Sequence, residues 1–390
     1  MPENVNNNSW VVNFPNSIVW AFNPNYIEIT APSDDEHPYV TVTIGDNPPI
    51  KAVLYNGHAK VYVSRLLQIC FGNPKVQRVK DINVQVWTSG LPEDYPGQEE
   101  TSEGTVIVHF DDEYAVELLN QDYTVVWGGI NLGERAYNYG AYAYEEGRGW
   151  LTSHVQMFEN YPFTLELLMA NATKLLRRTD RTAYEQLSVQ QGNGLVTITK
   201  DQILAGLSSH IGRTVVYRQE LGNINEGGTF DTTFDYTFHT PADTTVITHV
   251  HLRQEIEGYY LRWISHFGFM QYYLFDKGNH TTKTQKTATL PEEVHMDGMY
   301  FGGSARNLSV KSTRSLKMCA MNLNQDTLDY VQDIVASPFV DMYIGLDKQG
   351  NEIWQPVKVA DNSYTIKTLH NYLCDFEINV ELPDNVTQAL

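Results

Sequence analysis

The sequence predicts a mainly β chain: two tandem antiparallel β-sandwich or barrel-like domains, each with a short helix, followed by a small α+β C-terminal domain. Three observations lead there. Short runs of alternating apolar and polar residues recur along the chain, cut apart by Pro, Gly and Asn, which is the spacing of antiparallel strands folded into a sandwich. One turn–strand–helix pattern occurs twice. Beyond residue 294 the pattern changes, and an amphipathic helix precedes several strands, an α+β arrangement. A chain of 390 residues is long enough to give each of these units its own core.

The first unit spans residues 1–150. Strands are expected at 10–14, 18–22, 26–30, 39–44, 51–55 and 60–63, with further strands at 83–87, 105–110 and 123–127. A helix over 64–71 stops at Gly72-Asn73-Pro74. Residues 91–104 are polar and hold Pro and Gly, so they read as a loop. The unit ends in a Tyr-rich loop that carries Tyr137, Tyr139, Tyr142, Tyr144 and Trp150 among small residues.

The second unit, 151–293, reads as a diverged repeat of the first. Asn56-Gly57 precedes a short alternating strand, then Ser64 and apolar Leu66-Leu67. Asn193-Gly194 precedes another, then Thr199 and Ile203-Leu204, at an offset of 137 residues. Each reads as a tight turn, a strand, an N-cap and a short helix. Trp127 and Trp263 lie at nearly the same offset, 136 residues apart, which supports a duplication. Within 258–275 two apolar strands meet at a turn over 265–268, and the Thr- and Lys-rich stretch 277–289 reads as another strand or an arm.

The third unit is 294–390. A helix over 324–336 places Leu328, Val331, Ile334 and Val335 on one face, with Asn324 as its cap. Strands follow at 339–346, 352–359, 364–369 and 374–382.

Composition excludes several functions. The formal charge is −20 and no basic patch stands out, so nucleic acid is not an expected partner. Such acidity serves solubility or, in the alternative, self-repulsion that keeps a ring-forming subunit from assembling too early. Three widely spaced cysteines, Cys70, Cys319 and Cys374, give neither a zinc site nor a disulfide framework, as expected for folding in a reducing cytoplasm. The first eight residues lack the features of a signal peptide, and no apolar run approaches the length of a transmembrane helix, so membrane insertion is not expected.

Chemistry-bearing motifs are sparse. The sequence holds no nucleophile elbow, P-loop, dinucleotide fingerprint or zincin helix. His249 and His251 share one face of a strand, a spacing metals use, but no third ligand is visible. Asp111-Asp112-Glu113 lacks the rhythm of a calcium loop and reads as a solvated acidic turn. No catalytic residue, metal or cofactor is therefore expected. Tyr137, Tyr139, Tyr142, Tyr144 and Trp150 are the candidates for contact with a neighbouring subunit or a glycan, because aromatic faces with polar tips suit both. Arg262 and Trp263 are candidates for the core or an interface. Arg262, in an apolar strand, points opposite to its apolar neighbours, pairs with a buried carboxylate, or forms an intersubunit salt bridge.

The segments Ser64-Arg-Leu-Leu-Gln-Ile-Cys-Phe71, Phe158-Glu-Asn-Tyr-Pro-Phe163-Thr164 and Gly258-Tyr-Tyr-Leu-Arg-Trp-Ile-Ser-His-Phe-Gly-Phe-Met-Gln-Tyr-Tyr-Leu-Phe275, with Ser337-Pro-Phe-Val340 through Trp354-Gln-Pro-Val357, resemble tail and baseplate structural proteins of phages and prophages of Bacteroides-type bacteria. The architecture is similar to distal tail proteins. The resemblance implies a non-enzymatic virion subunit that folds in the host cytoplasm. It would assemble as a ring or other homo-oligomer and with other tail proteins, through β-domain interfaces and arms. The alternative is a carbohydrate-binding adhesin or host-surface recognition module. A tail-attached glycoside hydrolase is a third reading, but the long β-helix repeat common in such enzymes is not visible.

Overall fold

Strand pairing divides the molecule into three units. The computed structural model describes residues 3–7, 10–14, 18–33, 37–89, 91–92, 99–100, 106–107, 110–111, 115–129, 143–145, 150–168, 172–179, 183–187, 195–207, 213–221, 245–254, 257–296, 299–368 and 373–383. The fold is mainly β, as the sequence predicts.

The first unit holds β1 (Glu3–Asn7), β2 (Trp10–Phe14), β3 (Ile18–Trp20), β4 (Tyr26–Thr30), β5 (Tyr39–Ile44), β6 (Ile50–Val53), β7 (His58–Tyr62), helix α1 (Ser64–Ile69) and β8 (Val79–Thr88). Four two-residue strands follow, β9 (Leu91–Pro92), β10 (Glu99–Glu100), β11 (Val106–Ile107) and β12 (Phe110–Asp111), and then β13 (Glu117–Val126). One sheet runs β1-β2-β4-β7 and the other β3-β13-β8-β5-β6. Every other residue of each strand points inward, so Trp10, Val12, Phe14, Ile27 and Ile29 of one sheet meet Val40, Val42, Ile44, Val84 and Val86 of the other in one core. Asn56 and Gly57 both take positive φ, 50° and 76°, the two-residue hairpin turn that Asn-Gly predicts.

The second unit holds β14 (Ala143–Glu145), β15 (Trp150–Phe158), β16 (Thr164–Leu168), β17 (Ala172–Arg178), β18 (Tyr184–Leu187), β19 (Leu195–Thr199), helix α2 (Lys200–Ala205), β20 (Thr214–Leu221) and β21 (Thr245–Arg253). Its sheets run β14-β15-β21-β20-β17-β18 and β16-β19. The two units share one connectivity. Counted from β3 in the first unit and from β15 in the second, the first strand lies parallel to the closing strand: β3 on β13, and β15 on β21. The closing strand then pairs antiparallel with the strand after the helix, and that strand with the third: β13-β8-β5-β6 in one, β21-β20-β17-β18 in the other. The second and fifth strands pair in the opposite sheet, as β4-β7 and β16-β19, and a helix follows the fifth in both. This is the cross-connected plan of an immunoglobulin-type sandwich, used twice. The Trp127–Trp263 spacing is not part of it. Trp127 follows the closing strand β13, whereas the closing strand of the second unit is β21, and Trp263 belongs to the third unit. An apolar strand bearing a Trp is common enough to recur by composition alone.

The third unit holds β22 (Tyr259–Ile264), β23 (Met270–Met296), β24 (Met299–Leu323), helix α3 (Gln325–Gln332), a 3₁₀ turn (Asp333–Ala336), β25 (Val340–Leu346), β26 (Glu352–Thr368) and β27 (Cys374–Glu381). They close a barrel in the order β22-β23-β24-β27-β26-β25. The boundary expected between residues 293 and 294 therefore falls inside β23. The strands expected to form a separate tail close onto β22 and β23, because closure removes the open edges that a short sheet would leave. Helix α3 is capped as expected, with Asn324 Oδ1 accepting the Thr327 N–H at 2.9 Å. Its buried Leu328 and Val331, with Ile334 of the 3₁₀ turn, join a core that the second unit and the barrel share. No helix among the described residues is long and apolar enough to cross a membrane.

Candidate functional site: a charged seam between the three units

After α1 the chain turns at Asn73, whose side-chain oxygen accepts the Lys75 N–H at 3.0 Å. The turn aims two cations, Lys75 and Arg78, at the other two units. Arg78 is buried and pairs with Glu166 on β16, and its Nη1 also donates to the carbonyls of Pro74 (3.2 Å) and Lys75 (3.1 Å). The second oxygen of Glu166 accepts the Met270 N–H, where β23 begins, at 2.7 Å. One carboxylate thus ties the first unit, the second unit and the barrel together. Burial pushes the Glu166 carboxyl upward, against the pull of Arg78 and the Met270 N–H.

A second carboxylate repeats the device. Asp341 on β25 is buried, with 5% of its side chain exposed. Lys75 Nζ lies 2.7 Å from one of its oxygens and Arg262 Nε 3.1 Å from the other. The Arg262 guanidinium also lies 4.1 Å above the Trp354 ring, where a weakly hydrated planar cation fits well. Of the placements the sequence allowed for Arg262, the structure shows a buried carboxylate within the same chain.

Apolar contacts surround these ion pairs. The backbone after β13 packs directly on the β22–β23 turn. A Cβ on Gly268 (φ 86°) would lie 2.1 Å from the Trp127 carbonyl oxygen, and one on Gly128 would lie 2.4 Å from the Phe267 carbonyl carbon. Gly129 N–H donates to the His266 carbonyl at 2.7 Å across this contact. His266 in turn is held by Asp333, through its backbone N–H (2.9 Å) and its Nδ1 (2.6 Å). Between the barrel and the second unit the contact is aromatic. Tyr260 hydroxyl donates to the Pro162 carbonyl at 2.7 Å, Tyr272 shares a 2.8 Å hydrogen bond with Thr164, and Tyr161 stacks on Tyr260. Burial raises the Tyr272 hydroxyl to about 12 and Tyr260 upward as well, so both stay protonated.

Of the residues expected to form a contact surface, Tyr137, Tyr139 and Tyr142 lie outside the described residues. Tyr144 and Trp150 are placed by their backbones on paired strands, with Tyr144 opposite Leu151 and Trp150 opposite both Glu145 and Thr245. Trp263 is 0% exposed inside the barrel, edge-on to Tyr330 of α3, so it is a core residue and not an interface residue. Its indole N–H meets no acceptor among the described residues. Lys75, Arg78, Glu166 and Asp341 were not singled out in the sequence. Single charged residues in loops and strands look solvated until their partners, up to 266 positions away, are known.

A second cluster lies on the outer face of the larger sheet of the second unit. His249 and His251 share a face as expected, and the parallel strand β15 brings His154 beside them. The rings are nearly parallel, with centroids 4.8 Å (His154–His249), 5.1 Å (His154–His251) and 6.2 Å (His249–His251) apart. His154 Nδ1 and His251 Nε2 are 2.9 Å apart, and Thr214 Oγ1 lies 3.2 Å from His251 Nδ1. Burial, then the neighbouring histidines and Arg178, push His249 down to about 4. Burial, His154 and Arg253 lower His251. His249 and His251 are thereby held neutral at pH 7. Among the described residues no group of three His, Cys, Asp or Glu side chains is placed to hold a metal ion.

No family model matches the chain. No curated protein matches it either. Among solved structures, two of the extracellular region of plexin A4 align with it. The one of domains 1 to 8 is 8% identical, with a TM-score of 0.20, over 95% of this chain and 39% of that one. The one of domains 1 to 10 is 8% identical, with a TM-score of 0.20, over 95% of this chain and 31% of that one. The chain thus spans about two fifths or less of the length of these structures.

Proposed function

We propose that the chain is a non-enzymatic architectural subunit of a phage tail tip or baseplate, which assembles with itself and with other tail proteins in the virion. The observation that carries this reading is the seam. Two sandwiches and a barrel are locked together by buried ion pairs, backbone-to-backbone glycine contacts and an aromatic core, which favours a stiff body able to transmit force. Its buried acids, Glu166 and Asp341, are each engaged by two partners, an arrangement that suits holding and not proton transfer. The immunoglobulin-type sandwiches and the sequence resemblance agree with a structural role. A host-surface glycan is the ligand of the alternative reading, which rests on the Tyr-rich loop.

The test is to image intact particles of a phage that encodes the chain, with the chain labelled. The expected result is label confined to the tail tip or baseplate. Label elsewhere in the particle, or none, rejects the reading.

A further inference from the structure

The barrel accounts for only part of its two longest strands. β22 covers the outer edge of β23 as far as Phe275, and β27 covers the outer edge of β24 from Ser315 onward. Past those points the two strands pair with each other, from Thr281 opposite Ser315 to Met296 opposite Met299. No third strand joins this ribbon among the described residues. At about 3.3 Å per residue the ribbon is roughly 50 Å long. A two-stranded ribbon is marginal in water by itself, and a third strand or a packing surface stabilises it. A ribbon of this length is therefore a docking element.

Its charge identifies the occupant. Lys283, Lys286, Arg306, Lys311 and Arg314 lie along the shaft, and no Asp or Glu occurs in 279–291 or 304–314. Counting Glu292, Glu293 and Asp297, residues 279–314 carry five positive and three negative charges, a net +2. The chain as a whole carries −20, so the remainder carries −22. A basic shaft on an otherwise acidic chain is complementary in net charge to another copy of that chain.

We infer that the β23–β24 ribbon, residues 281–314, docks on the acidic body of a second copy of this chain and is its principal self-assembly contact. This rests on the reading of the chain as an assembly subunit and names the element that performs it.

Sedimentation or mass photometry of the full chain tests the inference, beside two variants. In the first, residues 282–314 are replaced by Asn-Gly, which closes a two-residue turn on the paired Thr281 and Ser315 and leaves the barrel ladder in place. In the second, Lys283→Glu, Lys286→Glu and Lys311→Glu are combined in the full-length chain. The expected result is self-association of the full chain that weakens by ~10-fold or more between about 0.05 and about 0.5 M salt, with both variants monomeric or at least ~10-fold weaker. The charge-reversed chain decides the matter should the shortened one fail to fold. Self-association that survives both changes overturns the ribbon inference and leaves an assembly role standing. A full chain that is monomeric at every concentration overturns self-docking, while labelling of the virion tail still judges the wider reading separately.

Discussion

At the scale of single residues, the seam depends on charges that cannot be left alone. Glu166 has 5% of its side chain exposed and is bonded by both Arg78 and the Met270 N–H. Glu166→Ala should cost about 3–5 kcal/mol, because it strands the Arg78 guanidinium away from water. Arg78→Met combined with Glu166→Leu should recover part of that loss, since no guanidinium is then stranded, while the buried Met270 N–H still lacks its acceptor. Urea titration of the wild-type chain and the two variants checks both statements, and equal destabilisation of the single and the double variant would show that the pair is not isolated. The histidine cluster gives a pH prediction with a definite sign. His249 titrates near 4 in the folded chain, below its usual 6.5, so the unfolded chain takes up the proton first. Stability is fully present above about pH 6.5, declines as pH falls toward about 4, and has no further slope from this group below that. Arg178 and Arg253 face the cluster and oppose a positive charge there. His249→Gln should flatten this part of the stability–pH curve, and an unchanged slope would exclude the cluster as its source.

Elements show how far local rules reach. Thr199 caps α2 with a full capping box, its side chain accepting from Gln202 and Gln202 answering to the Thr199 N–H, as a Thr before an apolar turn predicts. Ser64, in the matching place, does not cap α1. Its hydroxyl is buried, accepts the Asn25 N–H at 2.8 Å and donates to the Asn23 carbonyl at 2.6 Å, so it fastens the helix to the neighbouring sheet. Burial decided between two uses of one hydroxyl. The β22–β23 turn makes a similar point, since its position is legible in the sequence but its contact with Gly128 is not. Gly268→Ala meets both a left-handed backbone and the Trp127 carbonyl, so it should destabilise the chain by at least about 2 kcal/mol. Thermal melts should show this loss, and a wild-type midpoint would mean that the turn and the first unit are not in contact.

For the whole molecule, coupling is the central property. The second unit and the barrel share one hydrophobic core, while the first unit keeps its own and joins them through Trp127, the glycine contact and the two carboxylates. Calorimetry of the intact chain should therefore give a single unfolding transition. Asp341→Asn weakens the hold of Lys75 and should separate the first unit's transition from the rest. A single transition in both proteins would place the coupling elsewhere, in the apolar contacts. The abundant tyrosines fit the same picture. Tyr161, Tyr260 and Tyr272 stand at the seam inside one chain, where a buried ring with a bonded hydroxyl serves as well as at a subunit boundary.

By itself the sequence determined the class of fold, the position of most strands, the Asn56-Gly57 turn, the Asn324 and Thr199 caps and the presence of a repeated strand–helix unit. These follow from period-two alternation and from turn and cap chemistry, which act over a few residues. Tertiary structure alone decided which strand lies beside which. It closed the barrel across the expected boundary at residue 294, set His154 beside His249, and joined Lys75 to Asp341 across 266 positions. Alternation fixes which face of a strand is buried but not which partner buries it, and that choice belongs to contacts made only once the whole chain has folded.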